Sequence, residues 1–123
     1  MRPRVLLAED HPGMAKALGR VLALDCEVVA VVADGRDVAE AAQRFHPVVT
    51  LLDVNMPNVS GIESCRAITS ANPRARVIVM TGMLDEAIDG QARAAGASGF
   101  FLKSTAGDEL VAAIKRAWTE STS

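Results

Sequence analysis

Four apolar runs in this sequence each end in a polar residue of a type that binds ions or reacts. In chain order these residues are Glu9 with Asp10, Asp53, Thr81 and Lys103. Three clustered carboxylates repel one another and need a cation, and oxygen ligands without His or Cys favour Mg²⁺. A carboxylate beside such an ion can act as a nucleophile and become an aspartyl phosphate. Lys103 would then hold one phosphoryl oxygen as a point charge, and the Thr81 hydroxyl would donate to another.

The apolar runs have the length and composition of buried strands. We predict five strands, over residues 4–8, 28–33, 48–52, 76–80 and 98–102. The third is apolar except for Thr50, which is typical of a strand covered on both faces. Five segments with helical periodicity follow the strands in turn. This alternation predicts an α/β protein with a flavodoxin-like, doubly wound, five-stranded parallel sheet in the order 2-1-3-4-5 and five helices.

This strand order brings the polar residues together. Ligands of an open parallel sheet bind at the carboxyl ends of its strands, at the switch point between strands 1 and 3. Each polar residue taken alone has an ordinary explanation as a cap or a solvated side chain, but one crevice accounts for all of them. Asp34 follows strand 2, to the side of the crevice. With Asp37 three residues on, it is predicted to cap the second helix.

The last two helices differ in their apolar content. The helix predicted over 84–95 has one large apolar residue, Ile88, and Gly90 in its middle costs about 1 kcal/mol relative to alanine. We therefore expect it to be the least stable helix, as a movable output surface requires. The final helix is predicted to start from a cap at Ser104 or Thr105, and its inner stripe consists of Leu110, Ile114, Ala117 and Trp118.

The length and composition of the chain limit its domain organisation and the functions that it can have. The 123 residues suit one domain, predicted over 1–118, with 119–123 as a tail or the start of a linker. The net charge is −2 and the basic residues are scattered, so direct nucleic-acid binding is not expected. No apolar run is long enough for a membrane span or a signal peptide. Cys26 and Cys65 are isolated and are expected to be buried free thiols of a cytoplasmic protein.

With these features, the whole chain resembles the receiver domain of two-component response regulators. Four stretches carry the resemblance in this order: LLAEDHPGM, VVTLLDVNMPNVSGIE, VIVMTG and GASGFFLKS. The EDHP and LKS pieces are most similar to the LuxR/NarL-type subfamily.

The resemblance implies a role for each matched position. Asp53 matches the phosphoacceptor, Lys103 the phosphate-contacting lysine and Thr81 the switch hydroxyl. The acidic pair that holds Mg²⁺ matches Asp10 with Glu9. Two further matches are Asn55, whose backbone carbonyl would be a metal ligand, and Phe100, the switch aromatic.

The resemblance also implies partners. The phosphoryl donor would be a sensor histidine kinase, and the output would be phosphorylation-dependent homodimerisation or control of a C-terminal DNA-binding effector domain outside these residues. Four positions depart from the commoner pattern. They are Glu9 for Asp, Gly82 for Ala, Phe100 for Tyr and Ser104 for Pro.

Other functions are less well supported by the residues. Phosphatases and phosphotransferases with an aspartyl nucleophile typically carry a second acid two residues later, where this chain has Asn55, so a turnover enzyme is not expected. A flavin or dinucleotide module is disfavoured because no glycine-rich loop follows strand 1. The main alternative is a receiver-like interaction module that is not phosphorylated, against which the intact Asp53 and Lys103 argue.

Overall fold

The computed structural model describes residues 2–83, 85–104 and 107–122 of the chain. Strands β1 to β5 span Arg4–Ala8, Glu27–Val32, Val49–Asp53, Arg76–Thr81 and Gly99–Leu102. Helices α1 to α5 span Pro12–Ala23, Val38–Phe45, Gly61–Ala71, Glu86–Ala94 and Gly107–Thr122. A short 3₁₀ turn, Gly35–Asp37, precedes α2. Two predicted features fall on residues outside the described ranges, namely residue 84 of the fourth helix and the possible cap Thr105.

The strands form one sheet in the order β2-β1-β3-β4-β5, and every neighbouring pair is parallel. The predicted flavodoxin-like α/β fold is thereby confirmed. The central strand β3 pairs with β1 on one side and β4 on the other. Its residues are all buried, as a strand covered on both faces requires. The carboxyl ends of β1, β3, β4 and β5 consequently meet along one edge of the sheet.

The core lies in two layers, one on each face of the sheet. Leu6 and Leu52 point toward α2, α3 and α4, whereas Leu7 and Leu51 point toward α1 and α5. All four leucine side chains are fully buried, and each contributes about 1.5–3 kcal/mol by leaving water. Apolar residues alternate between the layers along each strand, so a shift of one residue would exchange the two faces. This packing fixes where each strand ends, and so where the polar residues stand.

The first two helices begin with different caps. The side chain of His11 caps α1, because its Nδ1 accepts from the Met14 amide at 3.2 Å. The prediction that Asp34 caps the second helix is wrong. Asp34 caps the 3₁₀ turn instead, by accepting from the Arg36 amide, and Asp37 makes no capping hydrogen bond. The extra turn places α2 further along the chain than the sequence pattern indicated.

The end of the chain is also more regular than expected. Helix α5 continues to Thr122, past residue 119, at which we placed the start of the tail. The predicted inner stripe of α5 is present. Leu110, Ile114 and Ala117 are buried, and Trp118 is half-buried. None of the described helices is both long enough and apolar enough to span a bilayer.

Thiol reactivity tests the packing of both core layers. Cys26 and Cys65 are free and at most 1% exposed. Burial raises the pKa of Cys65 to about 11 and also raises the pKa of Cys26. Since the thiolate is the reactive form, we expect neither cysteine to react with Ellman's reagent in the native protein at about pH 8, and both to react in guanidinium. Rapid reaction of one thiol in the native protein would contradict this packing.

Amide exchange tests the predicted weakness of α4. Ala92 is its one fully buried residue, while its carboxyl end is held where the Thr69 hydroxyl donates to the Ala95 carbonyl at 2.7 Å. We therefore expect the amides of α4 to exchange fastest among the five helices, beginning at its amino end. Helix α3, which buries Ile62, Cys65 and other residues, serves as the internal comparison. Slower exchange in α4 than in α3 would show that the prediction is wrong.

Candidate functional site

Three strand ends bring opposite charges into contact. Glu9 follows β1, Asp53 ends β3, and Lys103 follows β5. The Lys103 ammonium donates to Glu9 Oε1 at 2.5 Å and to Asp53 Oδ2 at 2.8 Å. The side chains of Glu9 and Asp53 are almost completely buried, and that of Lys103 is 16% exposed. One cation is therefore shared by two carboxylates in a place that water barely reaches.

The pKa values of these three groups reflect their burial and the sharing of one ammonium group by two carboxylates. Burial and the neighbouring Asp53 raise the pKa of Glu9 to about 7, against the opposing effect of Lys103. Burial alone would raise the pKa of Asp53, but hydrogen bonds from Glu9, Lys103 and the Asn55 amide lower it. Burial likewise opposes the charge of Lys103, yet its bonds to the two acids raise its pKa. In the metal-free protein Asp53 is thus ionised, while Glu9 binds its proton unusually tightly.

Asp10 adds a third carboxylate at the open side of the pair. Oxygen atoms of Glu9, Asp10 and Asp53 lie within 4.8 Å of one another, and Asp10 is exposed to solvent while the other two are buried. Three hard oxygen donors at this spacing, with no His or Cys among them, fit a small divalent cation that keeps some of its waters. The arrangement can therefore hold Mg²⁺ at its open face.

Backbone contacts fix Glu9 in the buried part of the site. Its amide donates to the Val32 carbonyl of β2 at 3.0 Å, which continues the sheet for one residue beyond β1. Its Oε2 accepts from the His11 amide at 3.5 Å, a long bond at the start of α1. Its side chain is consequently held between the sheet edge and the first turn of the helix.

Close packing of α3 fixes Asp53. The Asn55 amide donates to Asp53 Oδ1 at 3.1 Å, and the Val54 amide donates to the Met80 carbonyl of β4 at 2.9 Å. Gly61 opens α3, and a Cβ there would lie 2.2 Å from the Asp53 carbonyl oxygen. Only glycine lets the helix approach so closely. Sequence analysis missed this role, although a glycine directly after the capping Ser60 was the available signal.

Neither Thr81 nor Phe100 is part of the charged cluster that the described residues form. The Thr81 hydroxyl is buried and donates to the Met83 carbonyl at 3.1 Å. Its own carbonyl accepts from the Lys103 amide at 2.8 Å, which ties β4 to the end of β5. Phe100 is half-buried and packs against the core layer that contains α4. In the described part of the chain, neither side chain bonds to Glu9 or Asp53.

One contact near the site was not anticipated from the sequence. The Asp34 carboxylate, placed to the side by the sequence pattern, accepts from the Asn58 side chain at 2.8 Å. Asn58 lies in the loop between Asp53 and α3. An Asp-Gly pair marks a turn in a sequence, but nothing in the pattern indicates which loop the turn will touch.

Comparison with known proteins extends these observations. The family model for the response regulator receiver domain matches residues 5–115. The transcriptional regulatory protein DegU of Brevibacillus brevis is 33% identical over 114 residues, which cover 91% of this chain and 48% of DegU. The chain thus spans about half the length of this curated relative.

Solved structures agree with the sequence comparison. The receiver domain of the response regulator NarL from Mycobacterium tuberculosis has a TM-score of 0.92 and 32% identity, covering 96% of this chain and 97% of that one. A LuxR-family two-component response regulator from Aurantimonas has a TM-score of 0.92 and 30% identity, covering 98% of this chain and 87% of that one. Both are similar over nearly the whole sheet and its helices. This chain therefore belongs to the receiver domains of two-component response regulators, with relatives of the LuxR/NarL type.

Proposed function

We propose that this chain is a phosphoacceptor switch in which Asp53 receives a phosphoryl group from a phosphohistidine of a sensor histidine kinase. The observation that carries the proposal is the buried Asp53 carboxylate, held 2.8 Å from the Lys103 ammonium beside two further acids. An anionic oxygen at the carboxyl edge of a rigid sheet is a positioned nucleophile. The counter-charges around it suit the phosphoryl oxygens that would arrive there.

The transfer needs no external reactant besides the kinase. An Asp53 oxygen forms a bond to phosphorus while the bond between phosphorus and the histidine nitrogen breaks. The electron pair of the broken bond stays on the imidazole ring, which takes up a proton. Lys103 would then hold a phosphoryl oxygen, so it would follow the charge from the carboxylate to the phosphate. The chain promotes its own phosphorylation and dephosphorylation and is not a turnover enzyme.

Mg²⁺ would be held by Asp10, Asp53 and the Asn55 backbone carbonyl, with Glu9 at its side. When bound, the ion neutralises charge on the transferring phosphoryl group. The chain's own part is to keep the carboxylates ionised and in place. Glu9 must release its tightly held proton for this, and the arrival of a divalent cation favours that release.

Thr81 and Phe100 would convert the modification into a change of shape. The Thr81 hydroxyl now donates to the Met83 carbonyl, and a phosphoryl group on Asp53 would offer it a more strongly charged acceptor. Movement of Thr81 would leave space that Phe100 can enter from its half-buried position. The surface formed by α4 and β5 would then change, which is a shift between two pre-existing states.

The relatives support a proposal about the signalling pathway in which this domain acts. DegU is a transcriptional regulatory protein and the Aurantimonas protein is a two-component response regulator, so we place this domain in a cytoplasmic signalling pathway. Its output would be phosphorylation-dependent homodimerisation, or control of a C-terminal DNA-binding effector domain outside residues 1–118. The domain itself would contact neither membrane nor nucleic acid.

Intact mass measurement tests the proposal. After incubation with acetyl phosphate, we expect one phosphoryl adduct that requires Mg²⁺ and is lost in base. The adduct should be absent from Asp53→Asn, which keeps the shape of the side chain but removes the nucleophile. Asp37→Asn is the matched control, because it makes the same change at an exposed aspartate that forms no capping bond, and it should behave as wild type.

Two results would contradict the proposal. One is an adduct that persists in Asp53→Asn. The other is failure of the wild-type protein to bind both Mg²⁺ and the phosphoryl mimic beryllofluoride. The second result would favour a receiver-like interaction module that is not phosphorylated.

A further inference from the structure

The loop after β3 is fastened to the loop after β2 by residues outside the charged pocket. The Asn58 side chain donates to Asp34 Oδ2 at 2.8 Å, and the Gly35 amide donates to the Pro57 carbonyl at 3.0 Å. A Cβ on Gly35 would lie 1.8 Å from the Val59 carbonyl oxygen, so the two backbones are in direct contact. We call this set of contacts, between residues 34–35 and 57–59, the interloop bridge.

Asp34 is the polar centre of the bridge. Besides Asn58, its carboxylate accepts from the Arg36 amide at 2.8 Å and from the Arg36 guanidinium at 2.8 Å. These hydrogen bonds lower the pKa of Asp34 to about 2, so the carboxylate is ionised at neutral pH. Arg36 contacts the Asp34 carboxylate from the solvent side and fixes the orientation of that group. Asn58 therefore meets a charged acceptor that is already aligned, which makes for a stronger bond than a neutral one.

Asn58 needs such a partner because its backbone is strained. Its φ angle is 69°, in the left-handed region that asparagine tolerates better than most residues. The Val59 amide donates to the Pro57 carbonyl at 2.8 Å, which closes a three-residue turn around Asn58. Tight turns with a positive central φ are rare and persist only where their surroundings hold them. The interloop bridge keeps this turn in place.

The other end of the same loop is fixed at the site itself. Val54 is hydrogen-bonded to β4, and the Asn55 amide is bonded to Asp53. Asn55 and its neighbours therefore run between two anchored points, the sheet edge and the interloop bridge. A change at either point can therefore alter the direction of the Asn55 carbonyl. Mg²⁺ accepts little deviation from octahedral geometry, so a small displacement of a ligand carbonyl weakens binding.

We propose that the hydrogen bond between Asp34 and Asn58 positions the loop so that the Asn55 carbonyl faces the cation. This inference rests on the proposed function, in which Asn55 and Asp53 are metal ligands. Asp34 and Asn58 contact neither the ion nor the phosphoryl group. They are positioning residues that act through the backbone between residues 55 and 58.

Mg²⁺ titration of the full chain by calorimetry tests the inference. Asn58→Gly keeps the positive φ accessible and removes only the side chain, so we expect the fold to survive and Mg²⁺ affinity to fall about tenfold, as when an outer-shell partner is lost. Arg36→Ala is the matched control. It removes the solvent-side partner of Asp34 but leaves the bond to Asn58, and it should weaken Mg²⁺ binding much less.

A double-mutant cycle shows whether the two side chains act together. Asp34→Ala should weaken Mg²⁺ binding about as much as Asn58→Gly, and the double variant should be no weaker than either, because one bond is lost in all three. At saturating Mg²⁺, Asn58→Gly should be phosphorylated by acetyl phosphate at the wild-type rate. If the hydrogen bond between Asp34 and Asn58 contributed only to folding, the variants would have lower thermal stability and the same Mg²⁺ affinity as wild type.

Amide exchange of the metal-free protein gives a readout independent of the ion. In Asn58→Gly, the amides of Gly35 and Val59 should exchange faster, while those of β3 stay protected. Mg²⁺ affinity equal to wild type in Asn58→Gly would overturn the inference and leave the proposed function intact. Absence of Mg²⁺ binding by the wild-type protein would instead contradict the proposed function, and the inference with it.

Discussion

The site depends on one ammonium group that serves two buried carboxylates. Lys103 reaches Glu9 at 2.5 Å and Asp53 at 2.8 Å, while Asp10 adds a third negative charge at the open face. Like charges in a medium of low polarity repel strongly, and with all three acids ionised and no metal ion bound the negative charges outnumber the positive one by two. Burial and, after it, the neighbouring Asp53 raise the pKa of Glu9 to about 7, and a proton bound there removes part of this repulsion. A divalent ion would compensate the negative charge better, and under the proposed function a phosphoryl group on Asp53 would then bring new negative charge that Lys103 can contact.

Such a cluster survives only on a framework that cannot relax around it. The carboxylates stand at the ends of β1 and β3, and the lysine stands just after β5, on a sheet with helices on both faces. Large side chains fill both layers, so a shift of any strand would open cavities or force clashes. Gly61 brings the start of α3 against the Asp53 carbonyl, and Gly35 brings the β2 loop against the β3 loop. The well-packed elements hold the charges, whereas α4, with Ala92 as its one fully buried residue, is the helix that we predict to be least stable.

The sheet, its order and the meeting of the charges were predictable, because they depend on local composition. Apolar runs of strand length predicted all five strands to within one residue at each end, and parallel strands bring their carboxyl ends to one edge. Contacts between loops were not predictable, because they depend on which backbones meet in space. Asp34 has the pattern of a helix cap, yet the 3₁₀ turn sends its carboxylate to Asn58. His11 caps α1 because its ring nitrogen accepts from the Met14 amide, a contact that no helix pattern signals.

The most direct test of the charge deficit is the free energy of unfolding of wild type and Glu9→Gln, measured by denaturant in EDTA at about pH 8. Glutamine keeps an acceptor for Lys103 but removes one buried charge, so Glu9→Gln should be more stable than wild type. Adding Mg²⁺ should stabilise wild type by mass action and narrow the difference. Glu40→Gln, the same change at an exposed glutamate of α2, should have little effect. A less stable Glu9→Gln, with wild type indifferent to Mg²⁺, would mean that the acids and Lys103 form an ordinary structural ion pair, and would contradict the account.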